Sequence, residues 1–264
     1  MKTILITGST DGIGLETAKL LAKEGHNLLI HGRNAKKLDN VKKELLKSNS
    51  NIKTYLADLS ILKNTENLAE EILATNEKID VIINNAGVFV LDETTTKDRL
   101  DTRFAVNTIS PYLLTKMLLP ILSDKGRIVN LSSAAQTDID FEAMRSGKKM
   151  SHDNAYAQSK LAIAMWGIEL AEELGDKAVV ISVNPKSFLG SKMVKKAYGR
   201  QGYDLSIGAN ILYRASLSEE FAEKTGSYYD NDYKMFSNLH PFALNKQNRI
   251  QLITTMDEII KNIS

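Results

Sequence analysis

Tyr156 and Lys160 stand four residues apart in "NAYAQSK". On a helix that spacing puts both side chains on one face. A phenol with its ordinary pKa of about 10 is a poor base near neutrality. A neighbouring ammonium favours the phenolate and makes the phenol a better acid. The pair could therefore give or take a proton, although the same spacing is also common on helix surfaces. Upstream, "IVNLSSAA" closes an apolar run with Ser132 and Ser133. Their hydroxyls could meet a substrate oxygen or simply form a turn. "INNAG" closes another run, and Asn85, Ala86 and Gly87 are small enough to let a ligand pack close.

A further candidate is "ITGSTDGIG", in which Gly8, Gly12 and Gly14 separate an apolar run from a helical pattern. Glycine lets a backbone approach a pyrophosphate, and a helix N-terminus offers unpaired N–H groups and a positive dipole end. Ser9, Thr10 and Ile13 belong to the same turn and are candidate contacts. The turn lacks a Gly-Lys-Ser/Thr ending, which disfavours a P-loop NTPase. The next apolar run ends in "HGRN". Gly32 stands where an acid would hold the ribose 2′-hydroxyl of NAD, and Arg33 and Asn34 follow. A guanidinium can bind a 2′-phosphate bidentately. NADP(H) is therefore the preferred cofactor, with NAD(H) possible.

The elements that would position these groups follow from periodicity. Apolar runs fall at 2–7, 27–32, 52–57, 79–86, 126–132 and 178–185, with a weaker one near 226–231. Most are continuous, as in strands buried on both faces. Helical patterns cover 13–24, 35–47, 61–76, 98–122 and 154–174. This alternation predicts one doubly wound α/β domain over 1–264, with a parallel sheet of about seven strands and helices on both faces. Segment 186–222 has few strand signals and is expected to form a substrate lid over one end of the sheet.

The chain has 264 residues, 43% hydrophobic and 25% charged, with net charge +2. That suits an ordinary globular core and calls for neither nucleic acid nor an anionic membrane. The chain has no cysteine, which excludes disulfides and thiol catalysis. "MKTILIT" is too short for a signal peptide, and no stretch approaches the roughly 20 apolar residues of a membrane span. A cytoplasmic protein is expected. Asp138, Asp140 and Glu142 lack histidine spacing, so no metal site is expected.

In combination, "TGSTDGIG", "HGRN", "ADLS" with Asp58, "NNAG", Val106–Asn107, "NLSS" and "YAQSK" resemble the short-chain dehydrogenase/reductase family, in its compact three-glycine branch. The match runs from Thr7 to about Asn184 and more loosely beyond. "HGRN", the long gap from Ser133 to Tyr156 and "YAQSKLA" also resemble the retinol-dehydrogenase-like subgroup. The resemblance implies a Rossmann-like NAD(P) oxidoreductase acting on the carbonyl or alcohol of a small, fairly hydrophobic substrate. It implies that Tyr156 is general acid/base and that Lys160 lowers its pKa and holds the nicotinamide ribose. Ser133 would bind the substrate oxygen, and Asn107 would support a water-linked proton path. It implies adenine contacts at Asp58 and Leu59, adenosine-side contacts at Asn85, Ala86 and Gly87, and nicotinamide contacts at Pro185 and Phe188. Relatives of this kind often form homodimers or homotetramers through helices flanking the catalytic one.

The chain departs from the family at "NPKSFLGSK", where Lys186 replaces a usual glycine. Lys186 could face solvent, reach the cofactor phosphates or impair nicotinamide binding. The family's downstream threonine falls near Gly190, with Ser191 as a possible substitute. Met144, Met150, Trp166, Phe188, Met193 and Tyr198 are candidates for an apolar pocket, and His152 lies near Tyr156. A catalytically weak NADP(H)-binding regulator is the alternative reading, resting on Lys186. An epimerase or dehydratase is disfavoured by the glycine spacing.

Overall fold

The computed structural model describes residues 1–49 and 51–263. Seven strands run parallel: β1 (Thr3–Ile6), β2 (Asn27–Gly32), β3 (Ile52–Leu56), β4 (Ile79–Asn84), β5 (Leu122–Leu131), β6 (Ala178–Asn184) and β7 (Ser227–Asp230). β8 (Met235–Ser237) adds an antiparallel edge, so the sheet has eight strands rather than about seven. β8 is only three residues long and follows a turn directly, too short to show in a hydrophobic pattern. The order is β3-β2-β1-β4-β5-β6-β7-β8. Strand order reverses between β1 and β4, which opens a crevice at their carboxyl ends, where ligands bind in such sheets. Burial explains the patterns: every residue of β6 is buried, whereas edge strand β3 buries only Ile52 and Tyr55.

Helices α1 (Gly12–Lys23), α2 (Ala35–Leu45) and α9 (Leu205–Leu217) lie over one face, around Ile4, Ile6, Leu28, Ile83 and Ile181. On the other lie α3 (Leu62–Thr75), α5 (Ser110–Leu118) and α7 (His152–Leu174), around Leu5, Ile82, Ile109, Leu161 and Trp166. The 98–122 pattern resolves into α4 (Thr102–Phe104), a π-helical turn (Ala105–Ile109) and α5. The insertion between Ser133 and Tyr156 holds α6 (Phe141–Ser146), N-capped by Asp140. The final segments are α8 (Lys192–Tyr198), α10 (Pro241–Leu244) and α11 (Lys246–Ile263). Among the described residues, no helix is long and apolar enough to cross a membrane.

The segment 186–222, where a lid was expected, is packed unevenly. α9 packs on α1, with Gly208 against Ile13 and Ile211, Leu212 and Ala215 in the core. Residues 188–203 are more lightly packed. Among them α8 buries none of its residues, and Leu189 bridges to Tyr203.

Candidate active site

Glycines are required where the loop after β1 meets the loop after β4. Gly8 has φ +66°, and a Cβ there would lie 2.8 Å from the Ala86 Cα. At Gly14 it would lie 2.4 Å from both Asn85 Nδ2 and the Gly8 carbonyl. Thr7 Oγ1 accepts from the N–H groups of Asn85 and Ala86, both at 3.1 Å. Asn85 Nδ2 donates to the Thr7 and Gly8 carbonyls at 2.8 and 3.1 Å. The side chain of Asn85 thus locks the two loops together. Ser9 is fully buried and bonds through its hydroxyl to the main chain of His31. It shapes the loop from inside rather than facing a cofactor phosphate.

His31, absent from the sequence reading, is the hub of this turn. Its Nδ1 accepts from the Gly8 N–H at 3.2 Å, and its Nε2 lies 3.1 Å from the Ala57 carbonyl. Those roles require the neutral ring with its proton on Nε2. Burial pushes its pKa down to about 4, against the pull of the Ala57 carbonyl. Gly32 is fixed by sterics: a Cβ there would lie 2.5 Å from Thr10 Cγ2. An acid at this position would have to displace Thr10. Arg33 is exposed, with no ion-pair partner among the described residues. Asn34 N-caps α2 by accepting from Lys37 N, and Asp11 caps α1. Asp58 accepts from Ser60 N, and the Leu59 carbonyl accepts from Ser110.

Ser132 and Ser133 separate clearly. Ser132 is buried and its hydroxyl donates to the Lys160 carbonyl at 2.6 Å. Ser133 Oγ accepts from Ala135 N at 3.1 Å and sits beside the Tyr156 phenol. Burial pushes that phenol up to about 12, and its hydrogen bond with Ser133 opposes the rise. Lys160 Nζ donates to the Leu131 carbonyl at 2.7 Å and lies 5.8 Å from the Tyr156 ring centroid. Burial lowers its pKa to about 7.

Asn107 lies in the π-helical turn, a local widening that frequently marks functional sites. Its side chain bonds Val88 N and O at 2.8 and 2.9 Å, and Ser159 Oγ at 2.9 Å. A Cβ on Gly87 would touch Lys160 Nζ at 3.3 Å and Asn107 Oδ1 at 3.5 Å. Gly87 thus keeps the space beside the lysine clear. The glycine loop, the clear space at Gly87, the spare N–H groups of Lys160 and Arg33, which has no ion-pair partner among the described residues, are features that fit a dinucleotide.

Phe89, also missed, packs 4.4 Å from the Tyr156 ring, and Tyr198 of α8 lies 6.1 Å from Phe89. Phe188 packs edge-on against Tyr198, with ring centroids 5.2 Å apart. Of the expected pocket residues, Met144 and Trp166 are instead core, fully buried beneath α7. His152 faces Arg103, whose Nη1 lies 2.6 Å from its Nδ1, and Arg103 pairs with buried Asp101. Lys186 follows neither the solvent nor the phosphate expectation. Its Nζ lies 4.9 Å over the Tyr203 ring and 3.7 Å from Asp232. Ser191 N-caps α8. Asp232 also accepts from Asn184 Nδ2 and from Ser187 N and Oγ, so "DND" at 230–232 holds the loop after Pro185. Asn231 completes this grip by donating to the Pro185 carbonyl at 2.9 Å.

The sequence profile of the short-chain dehydrogenase family matches residues 2–201. The chain belongs to the short-chain dehydrogenase family. This match spans Asn107, Ser133, Tyr156 and Lys160. The chain is 36% identical over 251 residues to human retinol dehydrogenase 13, covering 87% of this chain and 76% of that one. It is 31% identical over 253 residues to the short-chain dehydrogenase TIC 32 A, chloroplastic, of Brassica napus, covering 86% and 79%. The retinol-dehydrogenase-like resemblance is thereby borne out. Among solved structures, a short-chain dehydrogenase of Shigella flexneri complexed with NADP superposes with TM-score 0.70 at 26% identity, over 88% of this chain and 97% of that one.

Proposed function

We propose that this short-chain dehydrogenase is an NADP(H)-dependent oxidoreductase for the carbonyl/alcohol group of a small, fairly hydrophobic substrate. The observation that carries this reading is the convergence of the Tyr156 phenol, Ser133 Oγ and Lys160 Nζ at the carboxyl end of β5, beside the glycine loop. Bound nicotinamide supplies or accepts the hydride. The loop after β1 and the α1 N-terminus would hold the phosphates, Arg33 the 2′-phosphate, and Lys160 and Gly87 the ribose end. In the reducing direction Tyr156 gives its proton to the forming alkoxide, and Ser133 stabilises the charge on that oxygen. In the oxidising direction Tyr156 takes the alcohol proton. The high phenol pKa makes it a proton reservoir at neutral pH, and a cationic charge beside it brings that pKa down. Phe89, Phe188 and Tyr198 give the site an apolar wall. The NADP-bound relative supports the cofactor, and a relative named for retinol supports an alcohol or carbonyl substrate.

The regulator reading rested on Lys186, and the engagement of Lys186 with Tyr203 and Asp232 leaves it without an observation of its own. The test is NADPH consumption across a panel of aldehydes and ketones. Tyr156→Phe should abolish turnover while NADPH still binds, as followed by nucleotide fluorescence. Turnover that survives this substitution would sink the mechanism.

A further inference from the structure

The first residue beyond the sheet hydrogen bonds at the end of β5 is Ser133. Ser132 is anchored to β6 through its N–H, 2.9 Å from the Val183 carbonyl, and to α7 through its hydroxyl. Ser133 has no such anchor from the sheet. Its carbonyl instead accepts two hydrogen bonds, from Tyr228 Oη at 3.1 Å and from Gln136 Nε2 at 2.9 Å. Gln136 is in turn held by the His240 N–H, 2.8 Å from its Oε1. Tyr228 is buried on β7, and Gln136 sits in the turn that follows Ser133. Both donors converge on one peptide oxygen, and fixing that oxygen fixes ψ of Ser133. The same turn brings Ala135 N to Ser133 Oγ, which leaves the hydroxyl proton to point toward Tyr156.

We propose that Tyr228 is a positioning residue, which with Gln136 braces the Ser133 carbonyl and so aims the Ser133 hydroxyl at the Tyr156 phenol and the substrate oxygen. This rests on the oxidoreductase reading only for its effect on turnover. The brace itself is a statement about hydrogen bonding at Tyr156. Tyr228 lies outside the segment matched by the family profile. The phenol stays protonated and able to donate: burial, reinforced by the charges of Asp230 and Asp232, raises its pKa. A tyrosinate there would lose its donor and repel the carbonyl it holds.

The decisive variant is Tyr228→Phe, which keeps the ring packing and removes only the hydroxyl. Loss of one such hydrogen bond should lower kcat by about fivefold, with KM for NADPH unchanged. Because Ser133 lowers the Tyr156 pKa, a misaimed Ser133 lets it rise. The alkaline limb of the pH profile should move up by about half a pH unit. A second readout needs no turnover: the 13Cζ resonance of Tyr156, assigned by its loss in Tyr156→Phe. At neutral pH, Tyr228→Phe should move it in the same direction as Ser133→Ala. A resonance that stays in place, or a lower kcat with an unshifted limb, overturns the brace and leaves Tyr228 as packing. If the wild-type protein turns over no carbonyl yet the resonance moves, the brace stands and the oxidoreductase reading falls.

Discussion

At the residue scale, burial lowers the proton affinity of two nitrogen bases, His31 and Lys160, in different pH windows. His31 is neutral in the folded chain, with its pKa lowered to about 4, against an ordinary 6.5. Between those values the unfolded chain binds a proton that the folded chain refuses, so stability falls as pH drops through that window. Protonation also ends the acceptor role toward Gly8. Equilibrium urea unfolding should therefore show stability declining from pH 6.5 toward 4, and His31→Gln should flatten that decline. Lys160 is lowered to about 7 from 10.5. Below pH 7 both folded and unfolded chains carry its proton, and the folded state bears the full burial cost. Stability from this group is gained as pH rises from about 7 to 10.5. Lys160→Met should raise Tm at pH 6 by about 2–4 °C per kcal/mol recovered, and should abolish turnover. A lower Tm at pH 6 would show that the Leu131 hydrogen bond outweighs the burial. Tyr156 and Lys160 were legible as a pair because helical spacing is local. The proton affinity of each was not, because it depends on burial by distant segments.

At the element scale, the contacts expected to set cofactor and substrate preference fall on the β2–α2 turn and the segment around α8. Arg33 leaves β2 exposed and unpaired, whereas Lys37 one turn into α2 is drawn to Asp11 at 3.6 Å. Arg33→Asp should shift the ratio of NADPH to NADH kcat/KM toward NADH by at least tenfold. Equal use of both cofactors by the wild type would refute the role of Arg33. Helix α8 is tethered at both ends of the mouth, by Lys192 to Asp11 and by Lys196 to Asp92. Both pairs are exposed and contribute little to stability. Before α8, Lys186 has φ +118°. Strain of about 1–3 kcal/mol at such a position exceeds a part-exposed ion pair of about 0–1 kcal/mol joined by a weak cation–π contact. Lys186→Gly should thus raise Tm, and its NADPH affinity should change by less than tenfold in fluorescence titration. A larger gain in affinity would mean that Lys186 impairs the nicotinamide site. Sequence marked Lys186 as an oddity, but Tyr203 and Asp232 sit 17 and 46 positions away, so its partners were illegible.

At the scale of the whole molecule, α11 is the piece no motif announced. It packs along α7 and α6. Arg249 pairs with Glu169 and Glu172, and Asp257 accepts from the Tyr112 hydroxyl at 2.9 Å. Leu252, Met256 and Ile259 close the apolar face around Trp166. The outer side of the catalytic helix is thus covered by α11, which also reaches α5, one of the neighbouring helices, through the Tyr112–Asp257 bond; the resemblance implies self-association through helices flanking the catalytic one. Sedimentation velocity should give a single species near 29.3 kDa. A double variant, Leu252→Asp with Met256→Asp, should loosen α11 and produce larger species. A wild-type dimer or tetramer would show that copies associate through another face, and the exposed β8 edge is then the first to examine.

The sequence by itself determined the alternation of strand and helix, the glycine loop, and the order of Asn107, Ser133, Tyr156 and Lys160. Each of these is local: periodicity, turn chemistry and spacing act within a few residues of the chain. Which serine faces the phenol was expected from the family resemblance alone, which implies Ser133, since Ser132 and Ser133 are adjacent and chemically equal. Tertiary structure made that choice, turning Ser132 inward to α7 and leaving Ser133 to be held by Tyr228, 95 residues away. The roles of His31, Phe89 and Asp232 likewise arise only when parallel strands bring their carboxyl ends together, because hydrogen bonds and burial depend on distance in space rather than along the chain.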